Sequence, residues 1–527
     1  MRPRLSALLI TGLVLAPLSA LARPGGGHGY GGGGGGGDYS GGGGGGDSSG
    51  WETGDDGYEV SDRDAEALAG LVAFLLGHAV NLTRSYPLVM FPVWGGVALL
   101  LVFRHRLRPD TEEWTLDLSG AGGAPETSAT APLAAGRLPR AELERLRESD
   151  PAFSVVLFED LAHSLFAKAH DARGAGALDT LGAYLSPAVR ASLSRLSDGL
   201  SAVEGIVVGA MRYHAVSVPE DETEPVRVIL EFEANYTEVP REGGPGEPRG
   251  LYSRERWTLR RSRTARSRPP ERIRSFGCPS CAGPLSAATG PCPWCGVAVE
   301  PGERDWMVAV VDALEREPRA PALTGHAPER TPPDTVVDPR LEERRRELEA
   351  RDPQFSGAAF HARVRHVFAQ LQPAWSELDL ARARPWLSDN LLGTWRYWFD
   401  AYRRAGLRNA SENARVTGLR TARVSSDAYF DAVTVRLRAT GLDYTLDARG
   451  QVVSGDREHP REYSEYWTLI RGRGARGAPR TDLACPRCAG PLAVSMAGVC
   501  ESCGAHVTAG EFDWVLSRVE QDESYQG

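Results

Sequence analysis

Eight cysteines stand in this chain, spaced as two metal centres would require. Cys278 and Cys281 are followed by Cys292 and Cys295, and Cys485 and Cys488 are followed by Cys500 and Cys503. A thiolate pair at i and i+3 grips one ion from a tight turn, and two such turns complete a tetrahedron. Each set therefore reads as a zinc site with no position left for water. A closed site of that kind supports structure and does not catalyse. The competing chemistry is a dithiol redox pair, but such pairs occur singly beside a helix, whereas here all four come in twos. The glycine after each last cysteine, Gly296 and Gly504, suits the left-handed position of the turn.

Beyond the thiols the chain shows no Gly-x-Ser-x-Gly elbow, no phosphate loop and no His-Glu-x-x-His pair. A stretch of about 170 residues occurs twice, so the chain can be compared with itself. His163 and His170 align with Arg365 and Gln372, while His361 and His366 align with Glu159 and Ser164. No histidine is shared between the copies. An enzyme would need a buried acid kept by one copy and lost by the other, an expectation that rests on fold-level analogy alone.

The elements that must hold the cysteines repeat as well. Gly283-Pro284-Leu285 matches Gly490-Pro491-Leu492, and the Asp305-Trp306 pair of one Gly-Glu-x-Asp-Trp run matches Asp513-Trp514 of the other. Each copy opens with a charged helix ending in Asp-Pro-x-Phe-Ser, at Asp150 to Ser154 and at Asp352 to Ser356. In the amphipathic helix that follows, Phe153, Phe158 and Phe166 align with Phe355, Phe360 and Phe368, a spacing expected of core residues. Ser186 and Ser388 each start a second helix as N-caps, with Pro187 suited to the first turn. Alternating β-branched runs come next, around residues 226–236 and 430–438. The last strand reads Glu255-Arg256-Trp257-Thr258-Leu259 in one copy and Glu465-Tyr466-Trp467-Thr468-Leu469 in the other. Helices first and antiparallel strands afterwards predict an α+β domain. Trp395 and Trp398 have no aromatic match in the first copy and are expected to be buried, with an exposed binding surface as the alternative.

The first 22 residues read as a secretory signal, with Arg2 and Arg4 before an apolar run and Ala20-Leu21-Ala22 as a cleavage site. Residues 24–60 are dominated by glycine and cannot bury a core. Residues 86–103 carry no charge and approach the length that a bilayer asks of a helix, so they read as a transmembrane helix. Arg104, Arg106 and Arg108 follow it and acidic residues precede it, which places the bulk of the chain in the cytoplasm and the glycine tract outside. Reduced thiols fit that compartment. The apolar segment 65–82 is read as interfacial or paired with the next helix; a full span there would turn the large domains outward. Linkers at 109–138 and 315–339 divide the rest into a first domain (139–265) with a zinc ribbon (275–314) and a second domain (340–475) with its own ribbon (482–520).

This order of signal, glycine tract, proline-containing membrane helix, Asp-Pro-x-Phe-Ser, two helices and a Glu-x-Trp-Thr-Leu strand resembles the bacterial Tim44-like domain proteins. These are relatives of the C-terminal domain of a mitochondrial inner-membrane translocase subunit. The likeness spans about residues 60–265 and, less closely, 341–475. It implies a cone-shaped fold of the nuclear-transport-factor-two-like type, placed at the bacterial inner membrane, binding protein or lipid and without known catalysis. The duplication, the transmembrane helix and the zinc ribbons depart from the mitochondrial protein and weaken any inference of an import-motor role.

With 42% apolar residues in 527 and a net charge of -9, the chain is long enough for several domains and unsuited to general nucleic-acid binding. Arginines cluster before each ribbon, at Arg260, Arg261, Arg263, Arg266 and Arg268 and again at Arg471, Arg473, Arg476 and Arg480. A solvated linker is the favoured reading of these runs, with anionic lipid or acidic protein as functional alternatives. The expected function is a membrane-anchored, non-enzymatic binding or scaffold protein, linked in class to protein translocation or membrane transport; the alternative is a small-ligand-binding or enzymatic cone at the membrane.

Overall fold

The computed structural model describes residues 138–242, 246–273, 275–285, 290–319, 323 and 334–527. The segments read as signal, glycine tract, apolar helix and transmembrane helix, at 1–22, 24–60, 65–82 and 86–103, lie outside the described residues, as does nearly all of the linker 109–138. Among the described residues no helix is long and apolar enough to cross a membrane.

The Asp-Pro-x-Phe-Ser stretches end one helix and start the next. Helix α1 (Pro139–Glu144) carries proline at its start, where an amide is not needed, and runs through a 3-10 turn towards Asp150. The Ser154 hydroxyl then accepts from Leu157 N at 3.2 Å and caps α2 (Val155–Gly174). Helix α3 (Pro187–Arg195) is capped by Ser186. In the second half α4 (Leu341–Arg351) precedes α5 (Gly357–Ser376), capped by Ser356, and α6 (Asp389–Ala405), capped by Ser388. Ser186 and Ser388 cap as their positions in the sequence predict, and Ser154 and Ser356 do the same at the end of each Asp-Pro-x-Phe-Ser stretch.

Each half then builds a four-stranded antiparallel sheet. The first has β1 (Leu200–Ser217), β2 (Val226–Pro240) and β3 (Arg249–Arg261) side by side. The cysteine segment follows, with the two-residue strands β4 (Gly290–Pro291) and β5 (Ala298–Val299), and the chain returns as β6 (Met307–Glu317) to pair with β3. The second half repeats this with β7 (Arg408–Ser426), β8 (Phe430–Leu446), β9 (Val452–Gly472) and β10 (Val515–Gln521). Registers agree residue for residue. Leu259, Thr258 and Trp257 face Val308, Val310 and Val311, and Leu469, Thr468 and Trp467 face Leu516, Arg518 and Val519, with one residue slipped in each.

This corrects the expected order of parts. The Glu-x-Trp strand is not the last, and the cysteine segments do not trail their domains: each is inserted between the third and fourth strands of a sheet. Residues 307–314, expected to end the first ribbon, belong to the main sheet. The physical reason is Trp306 and Trp514. Both are buried, packed against Phe153 and Phe158 and against Phe355 and Phe360, and so pull the chain back onto the helix–sheet core.

Phe153, Phe158, Phe166, Phe355, Phe360 and Phe368 all lie in the core, as do Trp395 and Trp398, which offer no binding surface. The two halves keep separate main hydrophobic clusters. They are not independent arms on a linker, however, for the described residues belong to one compact unit. Glu144 in the first half pairs with Arg344 at 2.8 Å and Arg423 at 2.6 Å in the second, and Arg140 bridges Glu159 to Glu520 at 2.8 Å each. The end of the expected linker packs too, with Asp338 N donating to Ala422 O at 2.8 Å.

Candidate metal centres and the contacts that seat them

Each four-cysteine set is drawn together by two tight turns of one pattern. In the first, Cys278 N donates to Gly283 O and Ala282 N to Cys278 O, both at 2.7 Å; in the second, Cys292 N donates to Val297 O and Gly296 N to Cys292 O, both at 2.8 Å. The same four bonds recur around Cys485 and Cys500, through Gly490, Ala489, Ala505 and Gly504. Gly296 and Gly504 take φ of 70° and 71°, the left-handed conformation expected of them. Their counterparts in the other turns are Ala282 and Ala489, at φ 63° and 57°, which the cysteine spacing did not reveal.

The sulfur geometry suits one ion per set. All four ligand atoms of each group lie within 4.8 Å of one another. Cys278 and Cys295 are 3.8 Å apart at sulfur, Cys281 and Cys292 3.7 Å, and Cys485 and Cys503 3.8 Å. A tetrahedron with metal–sulfur bonds of about 2.3 Å has edges of about 3.8 Å. Main-chain amides donate to individual sulfurs of each set. Trp294 N reaches Cys292 Sγ at 3.5 Å, and Gly283 N reaches Cys281 Sγ at 3.4 Å. The amides of Cys503 and Ser502 likewise lower the Cys500 thiol to about 7. Both clusters can hold a metal ion.

The two centres are seated differently. Cys278, Cys292, Leu285 and Val299 belong to the main core of the first half, and the Tyr184 hydroxyl donates to Gly277 O at 2.9 Å. The second centre forms a small cluster of its own with Val494, Ala505 and Val507.

The arginine runs before the centres are solvated only in part: Arg266 and Arg476 are exposed, but Arg261, Arg268 and Arg471 are buried. Arg261 is buried and pairs with Asp150, which also accepts from Ser267 N at 2.9 Å; Arg471 is buried and pairs with Asp352 at 2.9 Å. Both guanidiniums lie over the returning tryptophan, at 5.8 Å from Trp306 and 4.7 Å from Trp514. Arg268 is buried against Asp305. Each Asp-Pro motif thus ties the helix entry to the strand that leads into a cysteine segment. The hint in the sequence was the recurrence of Asp and Arg in both copies. The Glu-x-Trp motif has a similar use: Glu255 and Glu465 are buried and each accepts from the indole of the tryptophan two residues on, at 2.9 Å.

The unshared histidines do not assemble a site. His170 is fully buried in packed core, stacked on Tyr236, with Nε2 3.3 Å from Glu255 and Nδ1 accepting from Arg173 at 2.9 Å. His163 lies at the boundary between the halves, where burial and then Arg518 lower it to about 3 and keep it neutral. His361 Nε2 lies 3.1 Å from the Thr421 hydroxyl.

No curated protein matches the chain. Residues 341–480, from the start of α4 through β9 to the entry of the second cysteine segment, match the family model of the Tim44-like domain.

Proposed function

We propose that the protein is a membrane-anchored, non-enzymatic binding scaffold of the Tim44-like kind, linked in class to protein translocation or membrane transport. In this reading both halves are Tim44-like cones, and each carries a structural zinc ion in a ribbon inserted before its last strand. The observation that carries the reading is the Tim44-like match at residues 341–480 on a helix–sheet unit that encloses a four-thiol centre. Recurrence of the Asp–Arg pair, the Glu–Trp bond and the strand register supports extending it to the first half. Four sulfurs around one ion leave no coordination position for water, so the metal stiffens the fold and takes no part in a reaction. Partners would be proteins or anionic lipid, on the cytoplasmic side of a bacterial inner membrane.

Photo-crosslinkers placed on exposed positions of residues 139–520 test this in cells. A stable protein or lipid adduct is expected; absence of any adduct would count against a scaffold. A membrane-impermeant maleimide tests compartment and metal together. Labelling of the eight cysteines only after lysis and chelation is the expected result, and labelling of intact cells would reverse the topology.

One observation favours a second reading, a small-ligand domain. An open cleft of about 950 Å³ lies on the first half between α2, β1 and the cysteine segment, with Leu181, Ile206, Phe276 and Leu285 below a rim that includes Lys168 and Glu204. A thermal-shift screen of the full chain against small amphiphiles separates the readings: a saturable hit abolished by Phe276→Asp would favour the ligand domain.

A further inference from the structure

The boundary between the halves has two unlike sides. On one side, at the end of α1, Glu144 holds Arg344 and Arg423, Arg147 donates to Ser426 O at 3.0 Å, and Tyr429 and Phe430 of the second half pack against the core of the first. Apolar rings and buried charge together make this side costly to open.

The other side is built from the segment that follows β10. Tyr525 is buried and stacks on Tyr466 with ring centroids 3.8 Å apart and planes 11° from parallel, and Arg140 lies over the Tyr525 ring at 5.4 Å. Gln526 Oε1 accepts from Tyr213 N, on the edge strand β1, at 2.7 Å, and Gly527 O accepts from Arg140 at 3.3 Å. Arg518 reaches across to Glu159 at 3.0 Å. Next to these contacts lies a polar cavity of about 70 Å³, lined by Asp160, His163, Asn390, Ser517, Arg518 and Glu520 among others. Glu520 Oε2 and Asn390 Nδ2 are buried without a hydrogen-bond partner there. A space of that size admits several waters, since one needs roughly 10–15 Å³.

We infer that the boundary is a hinge and a latch: the Glu144 side is the hinge, and residues 522–527 are a releasable strap that closes the halves over the edge of β1. The bonds that the strap makes across the boundary, to Tyr213 N and from Arg140, are polar and lie beside a cavity large enough for water to replace them at small net cost, and its ring stack on Tyr466 is made within the second half; at the hinge the rings of Tyr429 and Phe430 themselves cross the boundary. Release would free the Tyr213 amide and the face of Tyr466 without disturbing the core of either half, because those cores are separate clusters. The inference does not depend on metal binding or on the scaffold reading.

Hydrogen exchange on the full chain tests it, comparing the native protein with Tyr525→Phe and with Tyr525→Ala/Gln526→Ala. In the double variant, exchange within β1 around Tyr213 should rise about tenfold while α4, β7 and β8 keep native rates. Tyr525→Phe preserves the stack and should keep native exchange throughout. Unchanged exchange in β1 of the double variant would show that the strap holds nothing closed. A rise spread over both halves would show that the segment belongs to a single cooperative core. Either result overturns the hinge and latch.

Discussion

At the scale of single residues, burial separates the arginines that matter from their neighbours. Arg471 shares a buried site with Asp352, so Arg471→Ala leaves a carboxylate in the interior without its cation, and a loss of about 3–5 kcal/mol is expected in urea unfolding. Arg476, five residues on, is exposed, and Arg476→Ala should change stability by less than about 0.5 kcal/mol. The two alanines in left-handed turns give a prediction of opposite sign. Ala282→Gly and Ala489→Gly remove a Cβ from a conformation that L-residues avoid, and each should raise stability by about 0.5–1 kcal/mol in thermal unfolding.

Acid sensitivity is also decided at single residues. Burial works against the charge of Glu159, but Arg140 and Arg518 overcome it and hold the carboxyl down from 4.5 to about 2. A folded pKa below the unfolded one contributes stability above the unfolded value and loses it as pH falls through the folded value. The contribution should be intact above pH about 5 and fade between about 4.5 and 2, on the order of 3 kcal/mol. Denaturation curves across that window should flatten in Glu159→Gln.

Among the elements, the inserted cysteine segments are the informative ones. A segment between the third and fourth strands is held at both ends, by the Asp–Arg pair at its entry and by the buried tryptophan at its exit. Chelation should therefore loosen the segment while the strand after it stays paired. The halves should differ in degree. The first centre shares the main core of its half and the second has a small cluster of its own, so Cys278→Ser should lower the melting temperature more than Cys485→Ser. Elemental analysis should read two zinc ions per native chain and one in either variant. If both variants melt alike, the difference in seating carries no energy.

For the molecule as a whole, the boundary between the halves turns two domains into one unit. Glu144 compensates Arg344 and Arg423 and sits near Arg147, so Glu144→Ala strands buried cations at the hinge. Native protein is expected to unfold with the halves coupled; in Glu144→Ala calorimetry should resolve two transitions, the lower shifted by several degrees. A single unshifted transition would mean that the halves are joined elsewhere.

Local chemistry was enough for much of this molecule. Serine caps, the α+β order, core phenylalanines and the two four-thiol sets are each set by neighbours a few residues apart, where spacing maps directly onto helix turns, strand alternation and metal geometry. Repetition within the chain supports those readings, because two stretches of different sequence keep the same residue types at the same spacing. What the tertiary structure alone decided depends on partners far apart in sequence. The return of β6 and β10 to their sheets, Asp150 meeting Arg261, Asp352 meeting Arg471, and the joining of the halves through Arg140, Glu144 and Tyr525 all link residues about a hundred positions apart or more, or belong to strands separated by an inserted segment. No local periodicity encodes such pairings. They follow from which buried charges and rings find one another once the chain has collapsed.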